Sequence, residues 1–216
     1  PYLKYVFYDP IIEVLHISDT QSGLLLTMYA IGCVILYIPG GILADKMNPK
    51  KALLLSLAVA TVLTGIFAAT ILMGLPGSVA YGISLVIWLL MAFASGFVFW
   101  TALLKAIRII GTEEEQGTMY GIYYAANGTT AAIIAAVNLW AYNAGGGDAN
   151  MKSGFFWAVV SMAVFTLLAT ILVAIFLDGK SDKDLSIVKF PNILLICVSL
   201  FNNLIAGLNS FVNHIL

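Results

Sequence analysis

The segment 41–51 places ionisable side chains between two long apolar stretches. They are one carboxylate and three ammonium groups, on Asp45, Lys46, Lys50 and Lys51. A carboxylate can accept hydrogen bonds from a helix N-terminus or pair with a cation, and Gly41 leaves room for another helix to approach closely. The segment is therefore predicted to form a charged contact that holds or releases neighbouring helices.

Arg108 is the partner that we expect for Asp45. An ion pair that forms in only one of two conformations shifts the equilibrium between them. The residues predicted to form this conformational gate are Gly41, Asp45, Lys46, Lys50, Lys51 and Arg108. An alternative stays open, in which Arg108 only extends to the phospholipid headgroups, as arginines at helix ends do.

A second set of residues has the chemistry to bind an anion. Lys105 and Arg108 are three positions apart and share one face of a helix, and Trp100 lies about one turn deeper. A cation beside an aromatic ring suits a carboxylate or a phosphate ester. The alternative use of Lys105 is an ion pair with the glutamates at 113–115.

Lys4 is a further candidate for anchoring an anion, because Tyr5 and Tyr8 lie close to it in sequence. Its ammonium group could equally reach the headgroups. Tyr123 and Asn127 place polar groups inside an apolar stretch, where hydrogen bonds between helices account for most such groups. Among them Asn127, beside Gly128, is the strongest candidate for a substrate contact.

Enzyme chemistry is not predicted. No nucleophile with a base, phosphate-binding loop or metal-ligand cluster is present, and the two cysteines, Cys33 and Cys197, lie singly in apolar runs. His16 and His214 are also isolated, so we expect neither a metal nor a cofactor. The net charge of -1 gives no reason to expect nucleic acid as a partner.

The composition indicates a membrane protein. Hydrophobic residues make up 61% of the chain and charged residues 10%, and the mean hydropathy is +0.99. Six runs are long enough to cross a bilayer: Gly23–Leu43, Ala52–Leu75, Val79–Leu104, Met119–Tyr142, Gly154–Leu177 and Ile193–Ile215. Residues 1–8 are predicted to be the last turns of an earlier, truncated helix that Asp9 and Pro10 end.

The distribution of lysine and arginine predicts the orientation. The connections at 45–51, 105–117 and 178–189 hold most of these residues, so the positive-inside rule places them in the cytoplasm. Aromatic residues at the opposite ends of two spans are expected to lie in the interfacial belt: Trp140, Tyr142, Phe155, Phe156 and Trp157. We expect a bacterial inner membrane.

The chain divides at its polar linker. Residues 1–177 are predicted to form an amino-terminal bundle, 178–189 a cytoplasmic linker and 190–216 the first helix of a second bundle. A single helix cannot form that bundle, so its remaining helices are expected from the same parent chain or from a partner chain.

The glycine, aspartate and basic residues at 41–51 have the spacing Gly-x-x-x-Asp-[Arg/Lys]-x-x-x-[Arg/Lys]-[Arg/Lys], and the chain resembles the major facilitator superfamily of transporters. The family often has glycine where this chain has Asn48, and asparagine also tolerates a left-handed backbone. The resemblance implies an all-α polytopic membrane protein with an amino-terminal six-helix bundle of two inverted three-helix repeats, followed by the seventh helix. It also implies a midplane cavity between two bundles.

The match to subfamilies is weaker. Trp100, Lys105 and Asn127 have spacings similar to those of organic-anion and organophosphate carriers. Proton-driven drug exporters have an arginine four residues before a mid-helix glycine, whereas this chain has Ala92 and Gly96. The histidine of organophosphate exchangers is replaced by Ala126.

The predicted function is secondary-active transport of a small polar metabolite by alternating access. A sugar acid, sugar phosphate or carboxylate is the expected cargo, and uptake by a symporter-type permease is favoured over drug export. The predicted substrate contacts are Lys4, Tyr5, Tyr8, Trp100, Lys105, Tyr123 and Asn127. The competing hypothesis is a receptor, sensor or assembly subunit that binds but does not translocate.

Overall fold

The computed structural model of the chain describes residues 6–97, 99–110 and 113–176, without the side chains at 44, 45, 106, 109, 110 and 176. The predicted linker and seventh helix, and Lys4 and Tyr5, lie outside the described residues. The described part is helical and contains no strand. Its elements are α1 (Tyr8–Leu15), α2 (Asp19–Lys46), α3 (Pro49–Met73), α4 (Gly77–Ala92), a π-helical segment (Phe93–Phe97), α5 (Phe99–Ile110), α6 (Gln116–Ala144), a 3-10 turn (Gly147–Asn150) and α7 (Met151–Phe176).

Four helices in this part of the chain are long and apolar enough to cross a membrane by length and composition: Asp19–Leu43, Pro49–Met73, Gly77–Lys105 and Gly147–Ile175. They correspond to the second, third, fourth and sixth predicted helices. The fifth predicted span forms the 29-residue helix α6, which is not among these four. Its mean hydropathy is lowered by hydroxyl and amide side chains.

Helix α3 lies at the centre of the bundle, against α4, α5 and α7. Its buried residues recur every three or four positions, which is the spacing of one helical face: Leu53, Leu57, Ala60, Thr64, Phe67 and Ile71. Helix α2 packs on α4 and the π segment, and α6 packs mainly on α7. Only 22% of the apolar window of α2 is buried, against 50% for α3, so α2 keeps an open face.

Most hydroxyl groups inside the bundle are satisfied within their own helix. Serine and threonine can donate to the carbonyl four residues earlier, which removes the cost of an unpaired polar group in lipid. The side chains that do so are Thr27, Thr61, Thr64, Thr70, Ser84, Ser95, Thr129, Thr166 and Thr170. A buried hydroxyl in this protein is therefore not by itself a sign of a binding site.

The prediction that Asp9 and Pro10 end a helix is wrong. Both lie in the first turn of α1, and the interruption occurs two residues before Asp9, at Phe7. Proline is tolerated there because the first amide groups of a helix have no partner within it. Ile11 and Leu15 are buried, so α1 packs against the bundle rather than forming a loose connection.

The residues of the predicted aromatic belt differ in their exposure. Trp140 and Trp157 are 70% and 51% exposed, as interfacial residues would be. Tyr142 and Phe155 are instead buried, and each stacks against Phe7, with ring centroids 5.0 and 6.2 Å away. These two rings therefore belong to the core.

Candidate functional site

The charged connection between α2 and α3 is shorter than the sequence suggested. Only Met47 and Asn48 lie between the helices, so the charged residues occupy the last turn of α2 and the first turn of α3. The Asn48 side chain accepts a hydrogen bond from the Lys50 amide at 2.9 Å, and Pro49 is the first helical residue. Asn48 has φ -65 and ψ 128, an extended conformation. It therefore acts as an N-cap, and its tolerance of a left-handed backbone is not used here.

Lys50 connects the first turn of α3 to the last described turn of α7. Its Nζ donates to the carbonyl oxygen of Ala174, 2.9 Å away in the last turn of α7. A hydrogen bond donated by an ammonium group to a carbonyl oxygen is charge-assisted and stronger than one between neutral groups. This contact fixes α3 to α7 within the amino-terminal bundle.

The gate between Asp45 and Arg108 remains a prediction, because the Asp45 side chain lies outside the described residues. Lys46, Lys51 and Arg108 are exposed, as surface cations would be. The backbone carbonyl of Arg108 accepts a hydrogen bond from Gln116 Nε2 at 2.9 Å, which joins the end of α5 to the start of α6.

The close-approach role that we expected of Gly41 belongs to Gly40. A Cβ atom at Gly41 would meet no neighbouring atom within 4 Å. A Cβ atom at Gly40 would overlap the backbone carbonyl of Phe97 in the π segment. The sequence signature therefore contains the right type of residue, but the neighbouring glycine makes the contact.

Helix α2 meets α4 and the π segment along a line of small residues. A Cβ atom at Gly32 would lie 2.6 Å from the Ala92 Cβ, and one at Gly96 would lie 3.2 Å from the Cys33 sulfur. Small residues at a helix contact allow two backbones to approach closely, which favours packing in lipid. Ala92, which stands where the exporter pattern has arginine, and Gly96, which stands where it has glycine, thus also serve to pack the two helices.

The helical winding of the chain changes at this contact. Residues 93–97 are π-helical, between the α-helices α4 and α5. Ser95 in this segment and Tyr29 on α2 are 1% and 3% exposed, and their hydroxyl oxygens lie 2.6 Å apart. Short π segments occur frequently at functional sites, so this region is a structural candidate that the motifs did not indicate.

The predicted anion-binding face lies on α5, directly after the π segment. Trp100 and Lys105 are half-buried, and the opposite face of α5 is buried through Ala102 and Leu103. The Trp100 ring packs edge-on against Phe99, with centroids 6.3 Å apart and an interplanar angle of 77°. Lys105 thus lies on the accessible side of an amphipathic helix.

The polar residues predicted on α6 differ in their surroundings. Tyr123 is 0% exposed and packs edge-on with Tyr124 at 5.1 Å. Asn127 is half-buried, and a Cβ at Gly128 would meet nothing within 4 Å. Helix α6 continues without interruption past this point, so the glycine marks neither a bend nor a close contact in this structure.

Tyr8 lies at the other end of the bundle. Its hydroxyl donates to Asp19 Oδ1 at 2.7 Å, at the start of α2. This hydrogen bond to a carboxylate, with a smaller effect of desolvation, raises the pKa of the Tyr8 hydroxyl. Since Lys105 lies near the opposite ends of these helices, the structure separates Tyr8 from the Trp100 and Lys105 face.

One cleft in the described part of the chain does not support binding of an anion. A cleft of about 290 Å³ lies near the start of α7, but no charged residue lines it; its lining residues are Trp140, Ala141, Ala144, Gly145 and Trp157.

In the described ranges, no group of three or more histidine, cysteine, aspartate or glutamate residues could hold a metal ion.

Comparisons with known proteins agree with the sequence pattern. The family model described as Major Facilitator Superfamily matches residues 4–212. The chain is 27% identical over 142 residues to Inner membrane protein YqcE of Escherichia coli (strain K12), covering 66% of this chain and 32% of the relative. It is 28% identical over 177 residues to Inner membrane protein YihN of the same organism, covering 80% and 39%.

A third relative is the Uncharacterized protein MG294 homolog of Mycoplasma pneumoniae (strain ATCC 29342 / M129 / Subtype 1), 34% identical over 144 residues, covering 61% of this chain and 30% of the relative. The chain thus spans between 30% and 39% of the length of these relatives. No solved structure gives a significant match.

Proposed function

Since this chain belongs to the Major Facilitator Superfamily, a family of membrane transporters, we propose that it is part of a secondary-active carrier that moves a small polar anion by alternating access. The membrane location follows from the family and from the apolar helices. We assign the bacterial inner membrane because two of its relatives are named inner membrane proteins.

The observation that carries the anion proposal is the position of Lys105. Lys105 is half-buried on α5, about one turn and a half beyond Trp100, while Ala102 and Leu103 on the other side of the helix are buried in the bundle. A partly desolvated cation attracts a carboxylate or phosphate more strongly than one in bulk water does. A nearby indole ring adds a flat apolar surface for the body of the substrate.

Uptake is the direction that we propose. The place where proton-driven exporters have an arginine is Ala92, a fully buried residue packed against α2. No space is left there for a long cationic side chain. Symport with an ion is the proposed coupling, and the second bundle, from the same parent chain or a partner chain, is expected to complete the cavity.

The test is flux into proteoliposomes that contain the full-length protein. Sugar acids, sugar phosphates and carboxylates would be supplied one at a time, with neutral sugars as the comparison. We expect Lys105→Gln to raise KM for the transported anion about tenfold, because a charge-assisted contact is lost. Lys152→Gln, which changes an exposed lysine at the other end of the bundle, should leave KM unchanged.

Two results would reject the proposal. Flux of neutral sugars alone would contradict the anionic cargo. Tight binding of an anion with no flux in any direction would instead support a receptor or sensor built on the same helices.

A further inference from the structure

The hydrogen bonds at Ser95 have a defined direction. Ser95 Oγ lies 2.8 Å from the Met91 carbonyl oxygen, which can only accept, so the single serine proton points to that carbonyl. The Tyr29 hydroxyl must then donate to Ser95 Oγ across the 2.6 Å contact. A chain of two hydrogen bonds therefore runs from α2 through Ser95 to the backbone just before the π segment.

A π-helical turn contains one residue more than the α-helical turn it replaces. If segment 93–97 became α-helical without loss of a residue, everything after it would turn by about 100° and advance by about 1.5 Å. Helix α5 begins at Phe99, two positions after the last residue of the segment, and it carries Trp100 and Lys105. The winding of this segment thus decides in which direction these two side chains point relative to the rest of the bundle.

The Tyr29–Ser95 pair is suited to hold the π form. Ser84 on α4 donates to the Ala80 carbonyl at 2.7 Å, as Ser95 does to that of Met91. The partner of Ser84 in this bond lies within its own helix. Ser95 also has the Tyr29 hydroxyl from α2. The contacts of Gly32 with Ala92 and of Gly96 with Cys33 keep α2 close enough for that bond.

We propose that Tyr29 and Ser95 are positioning residues that hold segment 93–97 in its π form, and that release of their hydrogen bond rotates α5 so that Trp100 and Lys105 change faces. This inference rests on the proposed function only for the consequence of the rotation. The rotation itself can be measured without a substrate.

Thiol labelling of the full-length protein tests the rotation. Ile107, which is 2% exposed, would be replaced by cysteine in a background that lacks Cys197 but keeps Cys33, which lies beside Gly96, and the labelling of that background would be subtracted. A one-residue rotation brings position 107 to the orientation that exposed Arg108 has now. Labelling of Ile107→Cys should rise about fivefold when Tyr29→Phe is added, because the rotated form becomes more populated.

Matched variants separate this effect from a general loss of stability. Tyr37→Phe removes a hydroxyl from an exposed tyrosine of the same helix, and Ser84→Ala removes a hydroxyl bonded only to its own helix; neither should change the labelling of Ile107→Cys. Ser95→Ala should act as Tyr29→Phe does. Unchanged labelling in both Tyr29→Phe and Ser95→Ala would overturn the proposal.

Deletion of Ala94 gives a second test that does not depend on a weakened contact. Removing one residue converts the segment to a regular α-helix while α5 keeps its present face, so Ile107→Cys should stay protected even with Tyr29→Phe. Labelling in the deletion variant equal to that of Tyr29→Phe alone would contradict the proposal.

Transport supplies the functional arm. If the rotation belongs to the transport cycle, the Ala94 deletion should lower kcat about tenfold or more while KM changes little, since the substrate-binding face is retained but cannot turn. An unchanged kcat would remove the rotation from the cycle. Absence of flux in the unmodified protein would reject the proposed function alone, because the labelling result stands independently of it.

Discussion

The ammonium group of Lys50 lies 2.9 Å from the carbonyl oxygen of Ala174, so the first turn of α3 is joined to the last turn of α7. These two residues are distant in the sequence and belong to the pair of helices with the most extensive contact. The hydrogen bond gives one of the basic residues of the 41–51 segment a role within its own bundle, besides any role in a gate.

Replacing Lys50 should therefore destabilise the bundle. We expect Lys50→Gln to lower the free energy of unfolding by about 0.5–1 kcal/mol, because the charge-assisted hydrogen bond to the Ala174 carbonyl is lost. Lys51→Gln, one position further on and exposed, is the matched control and should change stability much less. Thermal unfolding of the full-length protein in detergent measures both, and equal losses would contradict the role of Ala174.

Gly40 and Gly41 should respond very differently to alanine. Gly40→Ala forces a methyl group into the Phe97 carbonyl, and relief of the overlap requires a shift of α2 that we expect to cost about 1–3 kcal/mol or more. Gly41→Ala adds a methyl group in open space and should be tolerated. The yield of monodisperse protein and its thermal stability distinguish the two. Equal tolerance would show that the helices are not in backbone contact at Gly40.

The N-cap role of Asn48 can be separated from a need for left-handed backbone. Asn48→Ala should cost about 1 kcal/mol, because the Lys50 amide loses its partner, whereas Asn48→Asp should cost little. Asn48→Gly should lie between them, at a few tenths of a kcal/mol. Measured in the same unfolding assay, a gain of stability in Asn48→Gly would indicate the left-handed conformation instead.

Asn138 on α6 and Ser161 on α7 form a hydrogen bond between the two helices. The serine hydroxyl lies 2.5 Å from Asn138 Oδ1, and Asn138 is 0% exposed. A double-mutant cycle with Asn138→Ala and Ser161→Ala should give a coupling free energy of about 0.6 kcal/mol, the usual size for such a contact in a membrane. A cycle with Asn138→Ala and Thr170→Ala, whose hydroxyl bonds within its own helix, should give none.

Much of this architecture could be read from residue types. Runs of apolar residues predicted helices where α2, α3, α4 with α5, α6 and α7 lie, since a chain in lipid must satisfy its backbone polar groups within each helix. The charged segment was located correctly between α2 and α3. Its internal geometry was not, because the choice between Gly40 and Gly41 depends on how α2 rotates against a helix that is distant in sequence.

The Tyr29–Ser95 pair shows most clearly what could not be predicted from the sequence. Spaced glycines at 32, 40 and 96 were a visible signal of close helix packing, but a lone tyrosine and a lone serine resemble many other polar residues of membrane helices. The π segment left no signal in the sequence that we recognised, because its extra residue is accommodated only against the neighbouring helix.

The sequence by itself determined where the long apolar helices α2 to α7 lie, the basic connections between them and hence the family, because hydropathy and charge act locally along the chain. Only the tertiary structure decided which glycine meets a neighbouring backbone, which lysine bonds to α7 and which hydroxyls join two helices. Those contacts form between residues far apart in the sequence, and their partners depend on the rotation of each helix about its axis, which an apolar sequence with few polar positions specifies only weakly.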